Sequence, residues 1–372
     1  MINLFPDPQM VRSIYDRAKK ETGEEAYVFH QMGIYEMNRP GGDLNESSSL
    51  LTRAAQLNQN DPTIKHSTAE LRLKAAELSK SDLQREKLLR DAFEITNALK
   101  SEQREDSYAF VTAAKIAIAK LQIAIKADEP DSVIESLVRD AERNLSEGLQ
   151  RFPGDSYLFD ADANLAQLVS DDDRVLTSLK KAFSANPRSG YLAARLAKDH
   201  IRKSSFADAK DVLEAGLEAN PNDHRLRYLL AKLLIETESG TPDEIEYNLA
   251  RSFTEGDNNH DAQLLYGRQL YLDGKRPESK LIFDRLSKMR VPNSVKNAPL
   301  YPLRTLSRGR VIRLEATYGF IAVDGSGDWL HMHQSDVSEL SWEDLARGVR
   351  VKFRIAFTMR GAKATQVVVD RH

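Results

Sequence analysis

The chain contains no cysteine, which excludes disulfides, thiolate zinc sites and cysteine nucleophiles together. It has no run of 18 apolar residues and no cationic start leading into an apolar stretch, so neither a membrane span nor export is expected, and a cytoplasmic location is the default. The sequons at Asn45 and Asn144 are then chance matches. No Gly-rich loop is followed by Lys-Ser or Lys-Thr, and no HExxH occurs; no catalytic residue or cofactor is expected, and the chain is read as not an enzyme. Strong charge of one sign is also missing. The net charge is −3 over 372 residues, with 10 Lys+Arg against 8 Asp+Glu in residues 305–372 and 43 against 48 before them. So mild an asymmetry does not by itself establish nucleic-acid binding.

A chain of this length exceeds what one compact core organises, so two domains or a repeat array is expected. Hydrophobic residues at 41% and charged residues at 29% fit a folded, strongly helical protein. A repeat is present. Pro153, Pro187 and Pro221 stand 34 residues apart, in phase with Gly148, Ala182, Gly216 and Ala250 and with Ala163, Ala197 and Ala231. Two helices pack closely only where a small side chain lets their backbones approach, and a proline ends one unit and starts the next. Each unit therefore reads as a helical hairpin, and roughly seven are expected over residues 1–290, with Gly267 two residues out of strict phase.

With Pro221 as the closing proline, Leu196, Ala197, Ala209, Gly216 and Pro221 fall on the positions of the tetratricopeptide repeat family, which this region resembles. The two bulky aromatic positions of its first helix hold Ala193 and His200 instead. The resemblance implies an α-solenoid whose surface holds an unidentified protein partner, or a spacer that fixes the position of other domains.

Residues 291–306 carry Pro292, Pro299 and Pro302 with little helical periodicity and read as an ordered or semi-rigid linker. After it the period changes. "GRVIRLE", "YGFIAV", "WLHMH", "VRVKFRIAF" and "ATQVVVD" are five strand candidates within residues 307–372, suggesting a small all-β barrel of the OB type. The fold class is mainly α: a repeat solenoid followed by a five-stranded barrel.

The second strand reads Tyr318-Gly319-Phe320-Ile321 and the third His331-Met332-His333-Gln334-Ser335, after a first strand with Gly309 and Val311. This run resembles the cold-shock domain over nearly all of residues 308–369. Arg313 stands where that family usually has tryptophan, and His331 where phenylalanine is common. Strand alternation puts Tyr318 and Phe320 on one face and Ile321 on the other; His331 and His333 share a face opposite Leu330 and Met332. A barrel this small fills its interior with Ile321, Val323, Leu330 and Met332, leaving four rings outward as a stacking platform for bases. Arg310, Arg313, Lys352, Arg354 and Lys363 flank it as candidate phosphate contacts. The other reading of the rings is packing beneath the linker or against the repeats.

The acidic run Asp171–Asp173 reads as a helix start, and the two histidines of "HMH" lack a third ligand, so no metal is expected. The expected function is a non-enzymatic adaptor or sensor that binds single-stranded RNA or DNA, RNA by preference, through the barrel and a protein through the repeats. The alternative is an interaction scaffold whose barrel docks on protein. The combination also resembles the C-terminal sensor half of large bacterial defence-type NTPases, which would make the chain an autoinhibitory or sensor arm.

Overall fold

A computed structural model of the chain describes residues 8–102, 105–254, 259–338 and 342–370. Among these, sixteen helices precede five strands. The chain divides between Pro221 and Asn222 into two compact units, so one boundary lies inside the repeat region and the segment 291–306 belongs to the second unit. The first unit holds α1 (Pro8–Thr22), α2 (Ala26–Asn38), α3 (Leu44–Leu57), α4 (Pro62–Leu78), α5 (Asp82–Ser101), α6 (Tyr108–Lys126), α7 (Asp131–Arg151), α8 (Ser156–Leu168), α9 (Asp172–Ala185), α10 (Gly190–Arg202) and α11 (Phe206–Ala219). From α2 onward they pack as consecutive hairpins. The second holds two more hairpins, α12 (His224–Thr237) with α13 (Pro242–Ala250) and α14 (His260–Leu272) with α15 (Arg276–Ser287), then α16 (Asn293–Asn297) and the strands, making seven hairpins in all.

The 34-residue period has a local cause beyond the prolines. Asp155, Ser189 and Asp223 are the N-caps of α8, α10 and α12, and their side chains accept the N–H of Leu158, Leu192 and Leu226. Each such cap contributes about 0.5–2 kcal/mol. Asp171 does the same for Arg174 at the start of α9, at 3.0 Å, as the acidic run implied. The small residues serve close packing: Ala163, Ala197 and Ala231 are fully buried, and a Cβ added to Gly148 would stand 2.9 Å from Leu158 Cδ2.

Ala250 departs from expectation. It is exposed, and the buried small residue nearby is Ser252. The start of α13 at Pro242 lies two residues further from that of α12 at His224 than Phe206 lies from Gly190 in the preceding hairpin. The added residues, Gly240 and Thr241, follow a helix-ending turn that the preceding hairpin shares: Glu238 and Ser204 take left-handed φ values of 54° and 58°, and the Ser239 and Ser205 N–H groups donate to the Leu234 and His200 carbonyls at 3.2 and 2.8 Å. The same step puts Gly267 out of phase. Among the described residues, one helix, α6, is long and apolar enough to cross a membrane. Phe110, Val111, Ile116 and Leu121 of this helix are buried in the cores of the array, while Ile125 near its end is exposed.

The strands β1 (Ser307–Leu314), β2 (Tyr318–Val323), β3 (Trp329–His333), β4 (Arg350–Thr358) and β5 (Gly361–Val369) close into a barrel in the order β1-β2-β3-β5-β4. Ile321, Leu330 and Met332 fill its interior with Val311, Val351, Phe353 and Phe357, while Val323 is only half-buried. That core does not end at the barrel wall. Leu264, Leu270, Ile282, Phe283 and Leu286 of α14 and α15 belong to the same cluster. Phe283 stacks on Phe357 with ring centroids 6.2 Å apart, and Tyr271 meets the same ring edge-on at 5.5 Å.

The segment 291–306 extends the sheet. The Leu300 N–H and carbonyl bond to Phe357 at 2.8 and 2.9 Å, and the Leu303 N–H donates to the Ile355 carbonyl at 2.8 Å. β1 pairs only with residues 350–353 of β4, so the rest of that strand would present an open edge, and the linker covers it. Pro299 and Pro302 flank these bonded positions, where the missing N–H costs nothing.

Candidate nucleic-acid interface

The outer face of β2 and β3 is built by alternation and register together. Tyr318 pairs with His333, and Phe320 with His331, while Gly319, Ile321, Leu330 and Met332 between them are buried. Gly319 is required by close approach: a Cβ there would lie 2.8 Å from both the Arg313 carbonyl oxygen and Met332 Cε. The glycine thus lets β1, β2 and the inner methionine converge beneath the rings.

Three of the four rings form one cluster. Tyr318 and His331 are stacked, with centroids 5.7 Å apart and planes at 19°. Phe320 stands edge-on to both, at 6.0 Å from Tyr318 and 5.7 Å from His331. The fourth, His333, turns toward the chain after β3: its Nδ1 accepts from the Ser335 N–H at 3.2 Å and lies 2.9 Å from the Ser335 hydroxyl. Burial, and then the charge of Lys363, hold the His331 imidazole below its ordinary pKa of 6.5, so near neutral pH it is an uncharged ring. A flat cluster of this kind offers each base a face without selecting its identity.

The flanking cations are less uniform than the sequence implied. Register places Arg313, Phe320, His331 and Lys363 in one row across four strands. Arg350, Arg310, Ala322 and Trp329 form the neighbouring row. Arg313 pairs with Glu315 at 2.7 Å, Lys363 with Asp336 at 2.7 Å and Lys352 with Asp370 at 2.8 Å. Arg354 is turned to the linker, donating to the Leu303 carbonyl at 3.0 Å and to that of Arg304 at 2.5 Å. Arg310 is exposed and has no ion pair among the described residues. Among the described residues the platform therefore carries rings and one cation without an ion pair, Arg310, with most of the surrounding charge already neutralised.

Trp329 was not among the candidates and belongs there. It is 72% exposed and two positions before His331 on the same strand, so it shares the platform's face. The alternation that selected His331 and His333 runs one step further back to find it. Trp329→Ala is expected to weaken single-strand binding about five- to tenfold, at the low end of the range for one stacked base, measured by fluorescence anisotropy on a chain with an unchanged melting temperature.

The repeat array has a cavity of about 380 Å³ lined by His30, His66, Tyr108, Lys115 and Tyr157 among others. Burial lowers both histidine pKa values below 6.5. His30 Nε2 lies 2.9 Å from the Ser67 hydroxyl and His66 Nε2 3.0 Å from that of Thr112. Both rings are thus uncharged, hydrogen-bonded walls, and Tyr108 and Tyr157 remain exposed beside them.

Residues 307–369 match the family model of the 'Cold-shock' DNA-binding domain, and residues 173–233 match that of the tetratricopeptide repeat. No curated protein matches the chain. Among solved structures, it is similar to a thermophilic TPR protein of Thermus thermophilus, at 18% identity over 56% of this chain and 99% of that one, with a TM-score of 0.45. It is also similar to the human IFIT1 dimer with PPP-AAAA, at 16% identity over 74% of this chain and 63% of that one, TM-score 0.42. MamA from Desulfovibrio magneticus RS-1 is 17% identical over 46% of this chain and 92% of that one, TM-score 0.34. These likenesses concern the fold, and the assignment rests on the two family models and the geometry above. The chain joins a tetratricopeptide-repeat array to a C-terminal cold-shock barrel, a protein-interaction module followed by a nucleic-acid-binding one.

Proposed function

We propose that the chain is a non-enzymatic adaptor whose barrel binds single-stranded nucleic acid, RNA in preference to DNA, while its repeats hold a protein partner. The observation that carries this reading is the outward cluster of Tyr318, Phe320 and His331, three rings within 6.0 Å of one another on strands whose intervening Ile321, Leu330 and Met332 point inward. A protein core does not need those rings, which stand half-exposed or exposed. Duplex bases present no open face to such a platform, whereas a single strand does. The preference for RNA draws on the polar groups at the edge of the rings, His333 and Ser335, which are suited to a 2′-hydroxyl that both donates and accepts.

The test is fluorescence anisotropy with single-stranded RNA, single-stranded DNA and duplex of one sequence at several salt concentrations. Single strands bind and duplex does not, RNA more tightly than DNA. Because most nearby cations are paired, the slope of log affinity on log salt is shallow, between about −0.7 and −1.4, as one or two phosphate contacts of a single strand give. A barrel that ignores single strands at low salt is instead a protein-docking module.

A further inference from the structure

Beside the ring cluster lies a cleft of about 790 Å³. Its walls come from the start of the turn after β3, from the β4–β5 hairpin and from Asn297 and Pro299 of the linker, so it exists only because the linker is laid along β4. His331 lines it and also stacks on Tyr318. The platform and the cleft thus share a residue and form one continuous surface.

The cleft is rich in donors and poor in free acceptors. Its carboxylate, Asp336, is already shared: one oxygen accepts from Lys363 Nζ at 2.7 Å and from the His333 backbone N–H at 2.8 Å. The Ser335 contacts at His333 Nδ1 make that nitrogen the acceptor, which leaves the ring proton on Nε2 as a donor. Arg360 spends one guanidinium nitrogen on Asn293 Oδ1, at 3.1 Å, and has no carboxylate partner among the described residues. With Lys363 balanced by Asp336, Arg360 leaves the cleft one positive charge in surplus, supplemented by N–H donors of Lys363 and His333. That set fits a tetrahedral dianion with several acceptor oxygens, and the volume admits a whole nucleotide. A bridging phosphate carries one charge and continues in both directions, whereas a terminal one carries a second charge and continues in one direction only, and Asn297 and Pro299 of the linker wall this cleft.

We propose that this cleft seats the terminal phosphate of a single strand whose end nucleotide lies on the Tyr318–His331 stack. The proposal rests on single-strand binding by the platform and adds that the barrel reads a strand end.

The test compares one oligonucleotide sequence with a 5′-phosphate, a 3′-phosphate or hydroxyls at both ends, on the full chain. One of the phosphorylated forms is expected to bind at least fivefold more tightly than the hydroxyl form, and the end that does so gives the polarity of the strand. Arg360→Gln removes that advantage while the hydroxyl form binds as before; Arg347→Ala, an exposed arginine outside the cleft, keeps it. Affinities equal within twofold for all three ends overturn the terminal-phosphate assignment and leave single-strand binding standing. If no strand binds, the platform reading falls. Titration with AMP against adenosine then decides what the cleft takes: shifts of the His331 and His333 ring signals in NMR with AMP only leave a phosphate site but overturn the strand end in favour of a free nucleotide, and equal or no shifts overturn the phosphate site as well. AMP displacing a phosphorylated strand at lower concentration than the strand itself binds overturns the assignment to a strand end in favour of a free nucleotide.

Discussion

Replacing Tyr318 and Phe320 together by alanine lowers affinity for single strands at least tenfold and leaves the barrel folded. Each stacked base contributes on the order of 1–3 kcal/mol, and about 1.4 kcal/mol is a factor of ten in affinity, so two rings comfortably exceed that threshold. The loss is larger than for either ring alone, because Tyr318 lies edge-on to Phe320 and stacked on His331; removing one leaves its neighbours free to reorient. Folding survives since both side chains point away from the core that Ile321, Leu330 and Met332 fill. Anisotropy on wild type and the double variant, with circular dichroism melts of both, checks it. Equal binding by the variant removes the platform as the interface, and a lowered melting temperature shows that the rings are packing instead.

The second large effect is on stability. Phe283→Ala in α15 destabilises the barrel by about 3–5 kcal/mol, the range for deleting a buried phenylalanine. Phe283 is 5% exposed and lies against Phe357 in the core that the last hairpin shares with the strands. A second tie runs from the same hairpin to the β2–β3 turn. Asp328 accepts from the Tyr271 hydroxyl at 2.9 Å and from Arg276 Nη2 at 2.8 Å, and the Arg276 guanidinium sits 3.6 Å over the Tyr271 ring. A fragment of residues 307–370 accordingly lacks part of its own core and its edge cover, and its NMR spectrum is expected to be poorly dispersed. Residues 260–370 supply both and fold. Urea melts of the Phe283 variant and spectra of the two fragments test this; a cooperative, equally stable barrel from residue 307 alone contradicts it.

The two modules were legible in residue spacing because each depends on a short-range period. Helical hairpins need a small residue and a terminator at every unit, so Ala163, Ala197 and Ala231 and the three prolines announce themselves. The N-caps Asp155, Ser189 and Asp223 keep the same step. The alternation in "YGFIAV" and "WLHMH" likewise fixed which rings face outward, and it extended to Trp329, whose exposure the motif itself does not call for. Ala250 misled because a two-residue turn insertion shifts the frame locally, and an insertion is visible only once the helix boundaries are known.

What the amino-acid order determined by itself is therefore the pair of folds and the face on which Tyr318, Phe320, His331 and His333 emerge, since both follow from contacts a few residues apart. Tertiary structure alone decided which cations are spent and which are free. Lys352 meets Asp370, Lys363 meets Asp336 and Arg354 meets the linker carbonyls across separations that no local pattern encodes. It also decided that the linker is an edge strand and that the last repeat completes the barrel's core. The physical reason is the same in each case: an ion pair, a ladder hydrogen bond and a ring stack are satisfied by whatever the fold brings within a few ångströms, and that neighbourhood is set by closure of the barrel and the packing of α14 and α15 against it.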